Sequence, residues 1–453
     1  MSKRSLVIGE DTQYDVIRRL KEEVNMSQCP YANLMDPSFA DGGLDNAEIA
    51  RIREAGPAVW IEDPVSGVPF WAITQQSSLD FVSKNNHLFS SERRGAIPME
   101  MDQEMVDNIQ TRMFLNLDPP RNLEYRKLIR DHFSPAQVAT YEPSIRAHAK
   151  RIVDNVIDRG ECEFVRDVAA ELPLLVILEF FDIPPEDRKK FFEWTNKMIF
   201  SEDPATVNET NGQAQAEAAA AEMMFYAFEL AKKWRGSDEK NVSSQLLNGT
   251  IDGEPISDET FAWIVLMIIS AGNESTRTTI THAMKNLINN PEQYRYLQQH
   301  PEKMDDAIYE MLRFNTPFIC MRRTATQDIV APELGNVEIK EGDKVILYYH
   351  GVNFDEEVFP DNTYDFDIHR AEREPDLGRK IRSFGIGRHN CFGMNLAKLE
   401  MRVMLQEVIS RMDNPQIDGE IKYLHSNFVQ GIDSMHITFD KAAVNQENNT
   451  DAA

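Results

Sequence analysis

Ten residues near the C-terminal end restrict this chain more than any other stretch: Phe384-Gly385-Ile386-Gly387-Arg388-His389-Asn390-Cys391-Phe392-Gly393, with a helical pattern following from Asn395. Glycines at 385, 387 and 393 let a backbone fold tightly around a flat ligand, because they accept angles that a Cβ forbids. Cys391 lies just before a helix N-terminus, where unpaired N–H groups and the positive end of the dipole favour a thiolate over a thiol. The other cysteines, Cys29, Cys162 and Cys320, read as small buried hydrophobes, and no pair has the spacing of a disulfide scaffold or a zinc site. A thiolate facing a flat ligand is suited to be an axial ligand of haem iron.

The rest of the chain must build a frame for that loop. With 453 residues, 42% of them hydrophobic, it can bury a large core. Its net charge of −26 makes nucleic acid and anionic membrane surfaces poor partners. No secretory signal is recognisable at Met1 to Asp15, and the longest apolar run, Phe261 to Ile269, is too short to span a membrane. A soluble, cytoplasmic monomer is expected, in one domain over 1–453, with an N-terminal extension to about residue 30 and a frayed tail over 445–453. A small hairpin is expected from Ala58 to Ile73, turning at Asp63 to Gly67. Helical patterns then dominate, over Pro135 to Asp158, Pro185 to Met198, Gln213 to Trp234, Asp258 to Asn290, Lys303 to Asn315 and Asn395 to Met412, with an extended run at Lys344 to Tyr349. The fold class is mainly α with a minor β region.

Two further patterns carry chemistry. Within the pattern of about 33 residues from Asp258, Gly272 costs about 1 kcal/mol relative to alanine and Glu274 interrupts an apolar stretch. Such local conflicts mark functional sites. Small Ala271 and Gly272 would let a flat cofactor and a diatomic gas approach, and the Ser275 hydroxyl can bond the Ala271 carbonyl and open the helix. In Met304 to Asn315, Glu310 and Arg313 share a helix face and can pair.

Together these segments resemble the cytochrome P450 superfamily over about residues 36–439. The resemblance implies the P450 fold, with non-covalent haem b between the long central helix and the helix behind the cysteine loop, and Cys391 as proximal thiolate and metal ligand. It implies that Phe384 packs near the sulfur, that Gly385, Gly393, Ala271 and Gly272 border the haem, and that His389, Arg323, Arg126 and Asn122 face its propionates. Asn122 stands where relatives carry histidine and cannot carry charge. Glu310, Arg313 and Arg370 would brace the loop. Glu274 matches the acid, and Ser275 the alcohol, of the pair that relays protons to iron-bound oxygen; serine departs from the usual threonine, leaving Thr276 as a substitute.

The activity so implied is monooxygenation with O2, most like bacterial hydroxylases of sterol side chains and of branched or terpenoid lipids. Phe318, Ile319, Met321, Phe428 and Val429 are the expected pocket, roofed by a mobile segment over 88–113 with Met99, Met101 and Met105. Small terpenoids are the rival substrates. A haem-thiolate sensor without catalysis is the alternative class. Electrons are expected from ferredoxin and ferredoxin reductase, docking on a basic face of Arg379, Lys380, Arg382, Arg388, Lys398 and Arg402.

Overall fold

A computed structural model describes residues 30–442 except 32, 65, 200–211 and 240. Cys29, the polar tail and nearly all of the expected N-terminal extension lie outside the described residues. Nine helices frame the site: α1 (Gln76–Lys84), α2 (Arg121–Ile129), α3 (Glu142–Asp154), α4 (Glu171–Phe180), α5 (Arg188–Ile199), α6 (Gly212–Trp234), α7 (Asp258–Asn289), α8 (Met304–Phe314) and α9 (Met394–Arg411).

Their ends follow local chemistry. The 32-residue α7 starts where Ser257 accepts the Thr260 N–H, with Asp258 and Glu259 in its first turn, and stops at Asn290, just before Pro291. One helix over 135–158 is not what forms: Pro135–Ala139 and α3 are separate. Pro143 lacks an N–H and suits only a first turn, so a new helix begins beside it. The sequence pattern also misses α4, whose ELPLLVILEF run is buried at seven of ten positions. An element that is apolar all round shows no stripe to detect.

Eight strands matter here: β1 (Val59–Ile61), β2 (Phe70–Ile73), β3 (Phe89–Ser90), β4 (Glu161–Glu163), β5 (Met321–Ala325), β6 (Lys344–Leu347), β7 (Met412–Ile417) and β8 (His436–Lys441). A five-stranded sheet runs β1-β2-β6-β5-β3, and a three-stranded one runs β7-β8-β4. The expected hairpin is present, with Val59 opposite Ala72. In the β5–β6 pair, Val345 lies opposite Arg323 and Ile346 opposite Arg322, so the two arginines leave opposite faces of the sheet.

The central α7 packs against α4, α6 and α9. Its apolar residues, Phe261, Val265, Ile269, Met284 and Leu287 among them, share a core with Leu405 and Val408 of α9. That burial lapses midway: Ala271 is exposed and Ser275 half-buried, although Ile269 and Ile280 on either side are fully enclosed. An opening halfway along a core helix is where a site can be built.

Candidate active site

The cysteine loop is held from both ends. The Cys391 N–H donates to the Phe384 carbonyl at 2.8 Å, and the Gly385 N–H to the Arg382 carbonyl at 2.8 Å. Gly387 has φ +77°, and a Cβ there would lie 2.7 Å from the Ser83 carbonyl oxygen at the end of α1, so no other residue fits. Gly393 differs from expectation, with an ordinary φ of −79°. Its contribution is an N–H: Cys391 is exposed, yet protein crowds it from the sides and pushes its thiol up, while the Gly393 N–H, the Arg126 guanidinium and the Met394 N–H favour the thiolate. Arg126 also donates to the Asn390 carbonyl at 2.7 Å and lies over the Phe392 ring, 5.7 Å from its centroid. Phe392 in turn packs on Phe114 and Phe133.

Beneath the loop lies a buried ionic network. Glu310, Arg313 and Arg370 are each 0% exposed. The Glu310 carboxylate takes Arg313 Nε at 2.7 Å, Arg313 Nη2 at 2.8 Å and Arg370 Nε at 3.0 Å. The guanidiniums also donate to backbone carbonyls, Arg313 to Asn353, Thr363 and Asp365, and Arg370 to Asp361 and Asn362, and Arg370 Nη1 reaches the Glu374 carboxylate at 3.2 Å. Asn353 carries the network to the loop, because its side chain accepts the Arg382 N–H at 2.7 Å and donates to Ser383 Oγ at 2.8 Å. No charge or motif in the sequence marked Asn353 for this task.

Across the opening, α7 presents Ala271 and Ser275. The Ser275 hydroxyl donates to the Ala271 carbonyl at 2.9 Å, the expected back-bond, whereas Thr276 is buried. Glu274 is also buried; its Oε1 accepts from Arg277 Nη2 at 2.6 Å and from Thr278 Oγ1 at 3.2 Å, and Oε2 has no hydrogen-bond partner. Arg277 was missed in the sequence, although three-residue spacing on a helix could have found it. Gly272, expected to border the cofactor, is half-buried beside Ala271, and a Cβ there would lie 2.6 Å from Ile177 Cδ1 of α4, so its smallness also eases helix packing.

At one side of the opening stand groups that suit carboxylates. Arg323 is buried, donates one Nη1 hydrogen bond to the Arg322 carbonyl, and leaves Nε with no partner. His389 lies 3.2 Å from the Leu115 carbonyl through Nδ1 and 3.3 Å from Ser91 Oγ through Nε2. Burial, then Arg323 and Arg126, hold this imidazole down to about 3, so it is neutral near pH 7. Asn122 is buried with Oδ1 unpartnered.

Comparison with known proteins agrees with this geometry. A cytochrome P450 family model matches residues 188–414. A steroid C26-monooxygenase of Mycolicibacterium smegmatis is 32% identical over 87% of this chain and 90% of its own. A methyl-branched lipid omega-hydroxylase of Mycobacterium tuberculosis is 32% identical over 92% of this chain and 96% of its own. The chain is a cytochrome P450 monooxygenase. Among solved structures, a Mycobacterium marinum cytochrome P450 in complex with pseudoionone superposes with a TM-score of 0.81 at 29% identity, covering 91% of this chain and 100% of that one.

The P450 cofactor is haem b ligated by a cysteine thiolate, and the residues present fit it. Ala271 is exposed on a largely buried helix, Cys391 is exposed in its loop, and the orphaned Arg323 Nε is a buried donor that a propionate would satisfy. Cys162 and Cys320 do not compete for iron, since burial pushes each thiol up to about 12.

Two groups of expected residues divide. Phe318, Met321 and Phe428 are half-buried, and the Phe318 and Phe428 rings lie 4.9 Å apart. Val429, paired with Phe318 across a β-bridge, is nearly enclosed. Ile319 leaves the pocket set: it is 1% exposed inside a different cluster with Leu34, Ile49, Phe70 and the adjacent Cys320, on the irregular stretch that precedes β5. Among the basic residues, Arg382 is not on a free surface. Its guanidinium is buried and grips Asp80 of α1 with two bonds of 2.7 and 2.9 Å. Lys380 pairs with Glu374, Arg402 with Glu142 and Asp305, and Lys398 lies over Tyr309. Arg379 and Arg388 are exposed. Among the described residues no helix is long and apolar enough to cross a membrane.

Proposed function

We propose that this P450 hydroxylates a bulky apolar molecule on its aliphatic part, a sterol side chain or a branched, terpenoid-like lipid, with electrons from a ferredoxin and its reductase. The observation that carries the reading is the aromatic wall of Phe318 and Phe428, fixed by the Ile319 N–H to Phe428 carbonyl bond of 2.8 Å and the Gln430 N–H to Pro317 carbonyl bond of 2.9 Å. Met321, next in line on β5, shares its strand face with Arg323, so an apolar surface adjoins the carboxylate-binding side. The names of the relatives support oxidation toward the end of a branched tail.

When bound, haem supplies the binding and reductive cleavage of O2. The chain's own residues hold the thiolate through N–H groups, orient the substrate by apolar contact, and deliver protons. The proposed delivery route uses the Ser275 hydroxyl on the open face and Glu274, whose Oε2 has no hydrogen-bond partner and serves as the acceptor. Arg379 and Arg388 are the exposed cations left to attract an acidic ferredoxin. The test is a spectral-shift screen of the haem-loaded enzyme against sterols, terpenoids and straight-chain fatty acids, followed by turnover with ferredoxin, reductase and NAD(P)H. Product from sterols or branched lipids supports the reading; a preference for straight-chain acids refutes it. Binding without NAD(P)H-dependent product refutes the hydroxylase assignment in favour of a sensor.

A further inference from the structure

The segment after β3 was expected to be a mobile roof, yet the structure ties it down by an ionic contact. Glu100 accepts from Arg322 Nη1 and from Lys344 Nζ, each at 2.9 Å. These cations come from neighbouring strands, β5 and β6, and share one sheet face by register. Their side chains are nearly inaccessible, at 4% and 2% exposure, whereas Glu100 is an exposed residue. The Arg322 N–H donates to the Ala96 carbonyl at 2.7 Å, and Arg322 Nη1 also reaches the Met99 carbonyl at 3.4 Å.

The other end of the segment is closed by amides. Asn116, fully buried, accepts the Ala96 N–H at 3.0 Å and donates to the Gln110 side chain at 2.7 Å. From there the chain runs directly into Phe114 and Leu115, which touch Phe392 and His389 of the cysteine loop. The segment therefore spans from the strand that carries Met321 to the loop that carries the thiolate, and Glu100 is the acid on its first half that pairs with both buried cations.

The geometry points to Glu100 as a positioning residue that seats this segment over the substrate chamber and sets the rate at which molecules enter and leave it. The inference rests on the reading that Phe318, Met321 and Phe428 line that chamber. Lifting Glu100 away breaks two charge-assisted bonds at once and strands two cations that have almost no access to water, so opening is opposed at this point more than at the exposed apex, Asp102 to Asn108. A neutral side chain at 100 removes the opposition without touching the chamber.

The experiment uses the haem-loaded enzyme and 4-phenylimidazole, an iron-binding probe that does not depend on the identity of the natural substrate. For Glu100→Gln, association and dissociation rates should both rise on the order of tenfold with a much smaller change in Kd, and amide hydrogen exchange over 96–101 should speed up by a similar factor. The paired variant Glu100→Gln with Lys344→Met removes the stranded ammonium, so it should fold and bind haem like the parent while keeping the fast exchange. Parent-like rates and protection in Glu100→Gln, or in the paired variant should the single one fail to hold haem, would overturn the proposal. Failure of sterols and branched lipids to bind would refute the substrate reading and leave these readouts standing.

Discussion

Replacing Glu310 by glutamine puts a number on the network beneath the cysteine loop. The carboxylate accepts four hydrogen bonds, from Arg313 Nε and Nη2, Arg370 Nε and the Asp367 N–H, at 2.7, 2.8, 3.0 and 3.0 Å. Glutamine preserves one acceptor, turns the other into a donor aimed at a guanidinium, and removes a charge shared by two fully buried cations, of which Arg370 keeps a second partner in Glu374. Breaking a buried pair by deleting one partner costs about 3–5 kcal/mol. An unfolding entropy of roughly 2.1 cal/mol/K per residue gives about 1 kcal/mol/K over 453 residues, so the loss corresponds to a Tm drop of about 3–5 °C. The control is Glu193→Gln in the exposed Lys189–Glu193 pair, with side chains 87% and 54% accessible, where about 0–1 kcal/mol is at stake. Calorimetry of both variants, with haem content per chain and the carbon monoxide difference spectrum, checks the claim. Because Asn353 links the network to residues 382 and 383, Glu310→Gln should also lose part of its thiolate-type spectrum. A Glu310→Gln enzyme that melts like the Glu193→Gln control and carries full haem would refute the reasoning.

Ser275→Ala should keep NAD(P)H consumption while diverting electrons to hydrogen peroxide, and Thr276→Ala should not; the reverse outcome, read from peroxide and product yields, would shift the helix register by one residue. His282 and His350 are buried and held down to about 3, chiefly by burial, so between about pH 3 and 6.5 only the unfolded chain takes up their protons. Stability should therefore fall with falling pH through that window, by roughly 1.4 kcal/mol per pH unit for each ring, and His282→Gln should lower the slope of an acid-unfolding series by one ring's share. Arg379→Glu and Arg388→Glu should slow reduction by an acidic ferredoxin and flatten its salt dependence without altering substrate binding, whereas Arg382→Glu should destabilise the fold by confronting Asp80; stopped-flow reduction and thermal melts separate the two effects.

The thiolate loop, the acid-alcohol segment and the Glu310 network were readable because each is built from residue types whose cost or charge stands out in a local window. Gly272 and Gly393 were read less well. A glycine shows that a Cβ is unwelcome, but only the third dimension reveals that Ile177 fills the space in one case and that an N–H faces sulfur in the other. Arg382 was misplaced for a related reason: its partner Asp80 is 302 residues away, and a run of basic residues looks the same in sequence whether it is solvated or clamped. Ile319 was misplaced because an irregular segment outside a named strand does not encode the direction of each side chain. The helix α4 left no amphipathic trace because every side of it is covered.

The two arginines of the network hydrogen-bond to the segment 353–365 through its main-chain oxygens, while Arg313 also lies over the Phe354 and Phe359 rings. Every residue type supplies that oxygen, so Asp361, Asn362, Thr363 and Asp365 are free to be exchanged as far as these contacts are concerned, provided the chain keeps its path. Insertions and deletions between 353 and 361 are a different matter, since each would slide the four acceptors at 361, 362, 363 and 365 relative to Asn353 and past fixed donors. Exposed positions such as Asp361 and Asp365 should tolerate substitution far better than the stretch tolerates any change in length, which makes it a poor place to graft a loop.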